Sequence, residues 1–221
     1  MRRIMGSAFV SLDGVMQAPG GPTEDPTGGF AHGGWVFGFF DEGVGAAIDA
    51  FFDRPYALLL GRRTYDIFAA YWPYADEDTQ PLARAFNACD KYVLTRGGTD
   101  LGWANSHALA DIDAVAALKA SDGPDLLIQG SSTLYPPLLA AELLDELTTM
   151  TFPLLLGAGK RLFGEGTPAG ALRPVAQTTT PGGVRIDRYA PAGPVPTGVA
   201  PGGEPSARER ARQDAITAGR W

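Results

Sequence analysis

The chain has 221 residues, 45% hydrophobic and 19% charged, enough for one domain whose core needs no disulfide or metal staple. No stretch approaches the roughly 18 apolar residues of a membrane span, and a net charge of −7 with a pI near 4.8 argues against DNA or RNA as a partner. Cys89 is the only cysteine and the two histidines lie far apart, so neither an internal disulfide nor a bound metal is expected.

Residues 4–12 are small, apolar and β-leaning and break at the turn pair Asp13-Gly14, which predicts a first strand. The basic start, Met1-Arg2-Arg3-Ile4-Met5, is unlike the apolar stretch of a secretory signal, so a cytoplasmic location is expected. Residues 15–34 form a loop dense in Gly and Pro, and loops of that length inside a compact domain are usually functional or disordered. A helix is predicted over residues 41–53, with Val44, Ile48, Phe51 and Phe52 at helical spacing and Pro55 as its stop. Residues 56–60 form a continuous apolar run, the pattern of a strand buried on both faces, and Gly61-Arg62-Arg63-Thr64 leads into a helix ending near Trp72-Pro73.

The alternation continues with a helix over Pro81–Ala88, a strand over Lys91–Leu94 and the polar turn Thr95-Arg96-Gly97-Gly98. Asp111 is placed to cap a helix running to Lys119, Gly123-Pro124 breaks it, and Asp125–Gln129 is a third apolar strand followed at once by Gly130-Ser131-Ser132-Thr133. A further helix carries Leu138, Leu139 and Leu143, and Glu146–Phe152 returns as a strand. Leu172–Thr179 and residues 184–189 flank Pro181-Gly182-Gly183 and predict an antiparallel hairpin at the sheet edge. The composition turns to Pro, Gly and Ala beyond Ala190, which sets the expected domain at 1–190 and a tail at 191–221, where Ser206-Ala207-Arg208-Glu209 is a capping-box pattern for a terminal helix.

Strands alternating with helices imply an α/β fold with a mainly parallel sheet, so the turns after successive strands share one edge, where such sheets bind ligands. Asp13-Gly14, Gly61 to Thr64, Thr95-Arg96 and Gly130 to Thr133 all fall there. Arg62 and Arg63 at a helix start oppose the macrodipole by roughly 0.3 to 1 kcal/mol, a conflict that an anion relieves. Backbone amides, the Thr64 hydroxyl and the guanidinium groups together make a phosphate site, with Arg96 one strand away; solvated surface arginines are the alternative. Gly130 lets a pyrophosphate approach the backbone, or is a plain strand-to-helix turn. No G-x-G-x-x-G follows any predicted strand. Gly157-Ala158-Gly159-Lys160 is similar to a P-loop, but Leu154 stands where its first Gly belongs and Arg161 replaces the Ser/Thr, so ATP hydrolysis is not expected.

Taken in order, Ser11-Leu12-Asp13-Gly14, Leu60 to Tyr65, Val93 to Arg96, Ile128 to Tyr135 and Leu154 to Phe163 resemble the dihydrofolate-reductase-like superfamily, in the branch holding the reductase domain of bacterial riboflavin biosynthesis. The resemblance covers about residues 3–190. It implies a three-layer fold, NADPH as hydride donor and often a homodimer. It implies cofactor-phosphate contacts at Gly61, Arg62, Arg63 and Thr64, the adenosine 2′-phosphate side at Thr95 and Arg96, and the pyrophosphate and nicotinamide ribose at Gly130, Ser131, Ser132, Thr133, Leu134 and Tyr135.

The substrate side is less determined. Dihydrofolate reductase proper uses an acid on its first helix; Asp41 and Glu42 lie in that stretch, yet each also suits a plain helix start. Asp13 either touches ligand or only shapes its turn. The aromatic group Phe30, Trp35, Phe37, Phe39 and Phe40 walls a pocket for a flat ring or packs in the core, and His32 in the same loop is a proton donor or simply exposed. The expected activity is NADPH-dependent reduction of a C=N or C=O bond in a small organic molecule. A non-catalytic sequestering protein on the same fold is the rival. Reduction of the ribosylaminopyrimidine of riboflavin synthesis is the second enzymatic reading, set back by the lack of an H-x-E with P-C-x-x-C deaminase signature in the sequence.

Overall fold

A computed structural model describes residues 1–97, 100–199 and 201–220; Gly98, the last residue of the turn read after the third strand, and Ala200 and Trp221 of the tail lie outside them. The strands are β1 (Ile4–Ser11), β2 (Tyr56–Gly61), β3 (Lys91–Leu94), β4 (Ser106–Leu109), β5 (Asp125–Gln129), β6 (Glu146–Phe152), β7 (Leu172–Thr179) and β8 (Arg185–Pro191). The helices are α1 (Glu42–Phe52), α2 (Arg62–Tyr71), α3 (Pro81–Ala88), α4 (Ile112–Ala120), α5 (Tyr135–Ala140) and α6 (Ala207–Thr217). One eight-stranded sheet runs β4-β3-β2-β5-β1-β6-β8-β7. Its strands are parallel from β4 to β6, and the hairpin of β7 and β8 closes it antiparallel, with β8 inside and β7 at the edge.

Side-chain alternation along the strands divides the core into two faces. Ile4, Ala8 and Val10 of β1, Ala57 and Leu59 of β2, and Leu126 and Ile128 of β5 pack with Val115 of α4 and with Tyr135 and Leu138 of α5. On the other face Leu58 and Leu60 of β2 meet Tyr65 of α2 and Phe86 of α3, while Met150 and Phe152 of β6 meet Val44 of α1 together with Val15, Phe30 and Trp35 of the first loop. The central strands are buried on both faces, which is why they read as unbroken apolar runs.

Two elements differ from the sequence reading. β4 was not predicted: Ser106-His107-Ala108-Leu109 has no apolar run, and it becomes a strand because the edge of β3 accepts it, His107 stacking on Tyr92 with ring centroids 5.1 Å apart. α5 ends at Ala140 rather than continuing to Leu143, because Glu142 takes a left-handed conformation at φ 55° that turns the chain out of the helix. α6 forms after Ser206, whose hydroxyl accepts from the Glu209 N–H at 3.1 Å, and it buries none of its residues. Among the described residues no helix is long and apolar enough to cross a membrane.

Candidate active site at the carboxyl rim of the sheet

Because β1, β2, β3, β5 and β6 run parallel, Ser11, Gly61, Leu94, Gln129 and Phe152 end at one rim. The turns after β2 and β5 are in direct contact there. The Gly61 N–H donates to Ser131 Oγ at 3.1 Å, and a methyl group added at Gly61 would stand 3.2 Å from Thr133 Oγ1. Gly130 has φ 71° and its N–H donates to the Ser7 carbonyl at 3.0 Å; an added methyl group would stand 3.7 Å from Met16 Cε and 3.9 Å from Thr64 Cγ2. Ser131 is also left-handed, at φ 54°, and right-handed turns begin at Ser132. A left-handed residue followed by right-handed ones is a backbone pattern found in anion-binding nests.

α2 begins at this rim with no side-chain cap on its first turn, whereas Asp41 caps α1 and Asp111 caps α4. Its first N–H groups therefore face outward with the positive end of the helix dipole. Arg62 and Arg63 lie on this turn, Arg63 exposed, and Thr64 faces Gly130. Asp66, one turn along, holds the Arg62 Nε at 2.8 Å and offsets within the helix the charge conflict expected there. Arg62 also lies over the Tyr65 ring at 6.0 Å. On the next strand Thr95 Oγ1 donates to the Gly97 carbonyl at 2.9 Å and Arg96 is exposed.

Leu134 and Tyr135 do not share this exposure. They are 2% and 0% exposed, inside the core beneath the rim, and the Tyr135 ring fills the space that a side chain at Gly6 would need. Their side chains serve packing, so a ligand at this rim would meet them only through the backbone.

The proposed acids are engaged elsewhere. Asp13 accepts from Ser11 Oγ at 2.5 Å, from Leu156 N–H at 3.1 Å and from Gly157 N–H at 2.8 Å, and these bonds pull its pKa down to about 2. Asp41 caps α1 through the Val44 N–H at 3.0 Å and holds the hairpin turn through the Gly182 N–H at 2.7 Å; bonding to the Thr180 hydroxyl and to these amides lowers its pKa. Both accept hydrogen bonds from backbone N–H groups, which favour the carboxylate form. Asp41 is also remote from Gly130, since three strand spacings of about 4.8 Å separate β5 from β8. Glu42 is exposed on the first turn of α1.

The aromatic group divides in the same way. Phe30 and Trp35 are core residues, with Trp35 Nε1 donating to the Gln17 carbonyl at 2.8 Å and its ring edge-on to Phe152 at 5.3 Å. Phe37 and Phe40 are exposed side by side, their ring centroids 6.2 Å apart. His32 is exposed against the edge of Phe30. Trp35 is thus removed from the pocket wall, and Phe37 stays available to it.

The family model of the RibD C-terminal domain matches residues 2–185. The chain belongs to this family. The uncharacterized protein YyaP of Bacillus subtilis (strain 168) is 26% identical over 172 residues, 73% of this chain and 80% of YyaP. Among solved structures, a putative riboflavin biosynthesis protein from Shewanella sp. PV-4 superposes with a TM-score of 0.57 at 20% identity, covering 86% of this chain and 99% of the other. A pyrimidine reductase-like protein from Corynebacterium diphtheriae gives 0.54 at 14% identity, with 86% and 92% covered. Dihydrofolate reductase from Enterococcus faecalis, solved with NADP(H) and RAB-propyl, also gives 0.54 at 14% identity, with 86% and 96% covered. The fold is dihydrofolate-reductase-like.

In this RibD C-terminal domain three further residues bear on the rim, of which the sequence reading weighed Lys160 and Arg161 only against the P-loop pattern and passed over Met16. Met16 packs against Gly130. Arg161 donates from Nη1 to the Asp13 carbonyl and from Nη2 to the Gly157 carbonyl at 3.3 Å, bringing an exposed cation to the end of β1. Lys160, the residue behind the P-loop likeness, has its ammonium on the Asp25 carboxylate and on Thr27 Oγ1. Nothing local marks Met16, and the contact of Arg161 with Asp13 depends on a partner from a distant segment. Among the described residues no three His, Cys, Asp or Glu side chains gather in a way that could hold a metal ion.

Proposed function

We propose that the protein is an NADPH-dependent reductase that delivers hydride to a C=N or C=O bond of a small, flat organic substrate. The observation that carries this reading is the contact between two rim turns, Gly61 N–H on Ser131 Oγ and Thr64 against Gly130, directly beside the uncapped start of α2 with Arg62 and Arg63. The residues present fit a dinucleotide phosphate. Glycines stand at Gly61 and Gly130, where side chains would fill the cradle, and amides and guanidinium groups border it. Membership of the riboflavin-biosynthesis reductase family supports the same reading.

When bound, the nicotinamide supplies the hydride. The chain's own work is positional: the rim amides, Arg62, Arg63 and Thr64 hold the phosphates, Thr95 and Arg96 border the 2′-phosphate side, and Met16 walls the cleft beside Gly130. With Asp13 and Asp41 bonded to backbone N–H groups, the proton comes from water or from an exposed side chain such as Glu42 or His32. The same commitment favours a second reading, a protein that binds ligand without turnover. Among substrates, the ribosylaminopyrimidine of riboflavin synthesis comes first on family grounds. The cytoplasm, where NADPH is held, is the compartment this reading implies. A homodimer belongs to it as well, through β7, an edge strand exposed along all eight residues.

Quenching of tryptophan fluorescence by NADPH and NADH tests the cofactor. NADPH is expected to bind more tightly, and replacement of Arg62, Arg63 and Arg96 by Ala to remove most of the preference; equal affinity for the two overturns the assignment. NADPH oxidation followed at 340 nm against pterins, quinones, carbonyl compounds and ribosylaminopyrimidines separates a reductase from a sequestering protein, which binds without oxidation.

A further inference from the structure

Two polar junctions fasten the first loop, residues 13–27, to the loop after β6, residues 154–161. One is the Asp13 carboxylate on the Leu156 and Gly157 amides. The other is centred on Lys160, whose ammonium bonds to Asp25 and, at 2.7 Å, to Thr27 Oγ1. The Lys160 main-chain N–H donates to Gln17 Oε1 at 2.9 Å, and Gln17 Nε2 in turn donates to the carbonyls of Asp25 at 2.9 Å and Thr27 at 2.8 Å. Gln17 is 5% exposed and Asp25 7%, whereas the Lys160 side chain is 32% exposed and Thr27 is exposed, so the network runs from the interior to the surface. Between the junctions the two loops pair like strands: Met16 N–H donates to the Lys160 carbonyl at 2.8 Å and Leu162 N–H to the Gly14 carbonyl at 3.0 Å.

An ion pair with one half-exposed partner adds little stability, and the best-attested use of such a pair within a fold is to fix one arrangement among several. The arrangement fixed here ends at Met16. Its backbone is bonded to Lys160, its neighbour Gln17 lies inside the network, and its methyl group packs beside Gly130. We infer that Lys160 is a positioning residue: through Asp25, Thr27 and Gln17 it holds the first loop so that Met16 stands against the Gly130 turn, giving the cofactor cleft its wall before any ligand arrives. The inference rests on the reductase reading for the identity of the ligand, but not for the existence of the clasp.

The test uses the full chain with Lys160→Met, Lys160→Arg, Asp25→Asn and the double variant Asp25→Asn/Lys160→Met. Amide hydrogen exchange of residues 14–27 is read by mass spectrometry, and NADPH affinity by fluorescence. Lys160→Met is expected to speed exchange in that segment while the central strands stay protected, and to weaken NADPH binding about tenfold. Lys160→Arg should recover most of both, and the double variant should lose no more than Lys160→Met alone, as coupled partners do. Should Lys160→Met fail to fold, Asp25→Asn carries the same comparison against wild type. Unchanged exchange in residues 14–27 overturns the clasp, and faster exchange with undiminished NADPH affinity overturns its role in shaping the cleft. If wild type binds neither NADPH nor NADH, the reductase reading has failed, and the exchange measurement still decides whether Lys160 holds the loop.

Discussion

Asp13 shows how much a single side chain here owes to residues far along the chain. Its folded pKa of about 2 lies below its ordinary value of 3.8, so the stability it contributes is full above about pH 4 and is lost as pH falls toward 2. Asp13→Asn is therefore expected to lower the thermal midpoint at pH 7, with the gap to wild type closing near pH 2; a gap independent of pH would show that the charge plays no part. The Asp-Gly turn was legible in the sequence, but the choice between ligand contact and structural bond was not, because the Leu156 and Gly157 amides are 143 and 144 positions away. Arg62 is the opposite case. Its helix start was legible, and so was Asp66 at i+4, a spacing that by itself points to a local ion pair.

At the level of elements, the strands buried on both faces could be read directly, since burial demands the apolar runs seen at Leu58 to Leu60 and Leu126 to Ile128. β4 could not, because a half-exposed edge strand is selected by its neighbour's free edge rather than by its own composition. The contact of the β2 and β5 turns was equally hidden. It follows from strand order, in which β5 lies beside β2 although the strands β3 and β4 and the helices α2, α3 and α4 separate them in sequence. The edge at β7 bears on association. Pro174 and an irregularity between Pro174 and Ala176 interrupt its first half, so pairing with a second copy would use residues 176–179. Lysines in place of Gln177 and Thr178 would gather like charges at the centre of such a pairing and repel. Sedimentation is expected to show the variant shifted from dimer to monomer; a dimer that persists unchanged moves the interface elsewhere.

For the molecule as a whole, the described residues of the tail bury nothing in the core, and α6 has no buried residue. A chain ending at residue 195 is expected to unfold within about 0.5 kcal/mol of the full-length protein, measured by urea titration of both. A larger loss would mean that residues beyond 195 pack on the domain. The placement of β8 has a different reach. It slots between β6 and β7, and the turn before it holds Asp41, 141 positions upstream, through the Gly182 amide. As the chain leaves the ribosome, the wall beside α1 must wait for the last strands to emerge, so a nascent protein that already carries the arginine turn and the glycine turn still has one side of its cleft open.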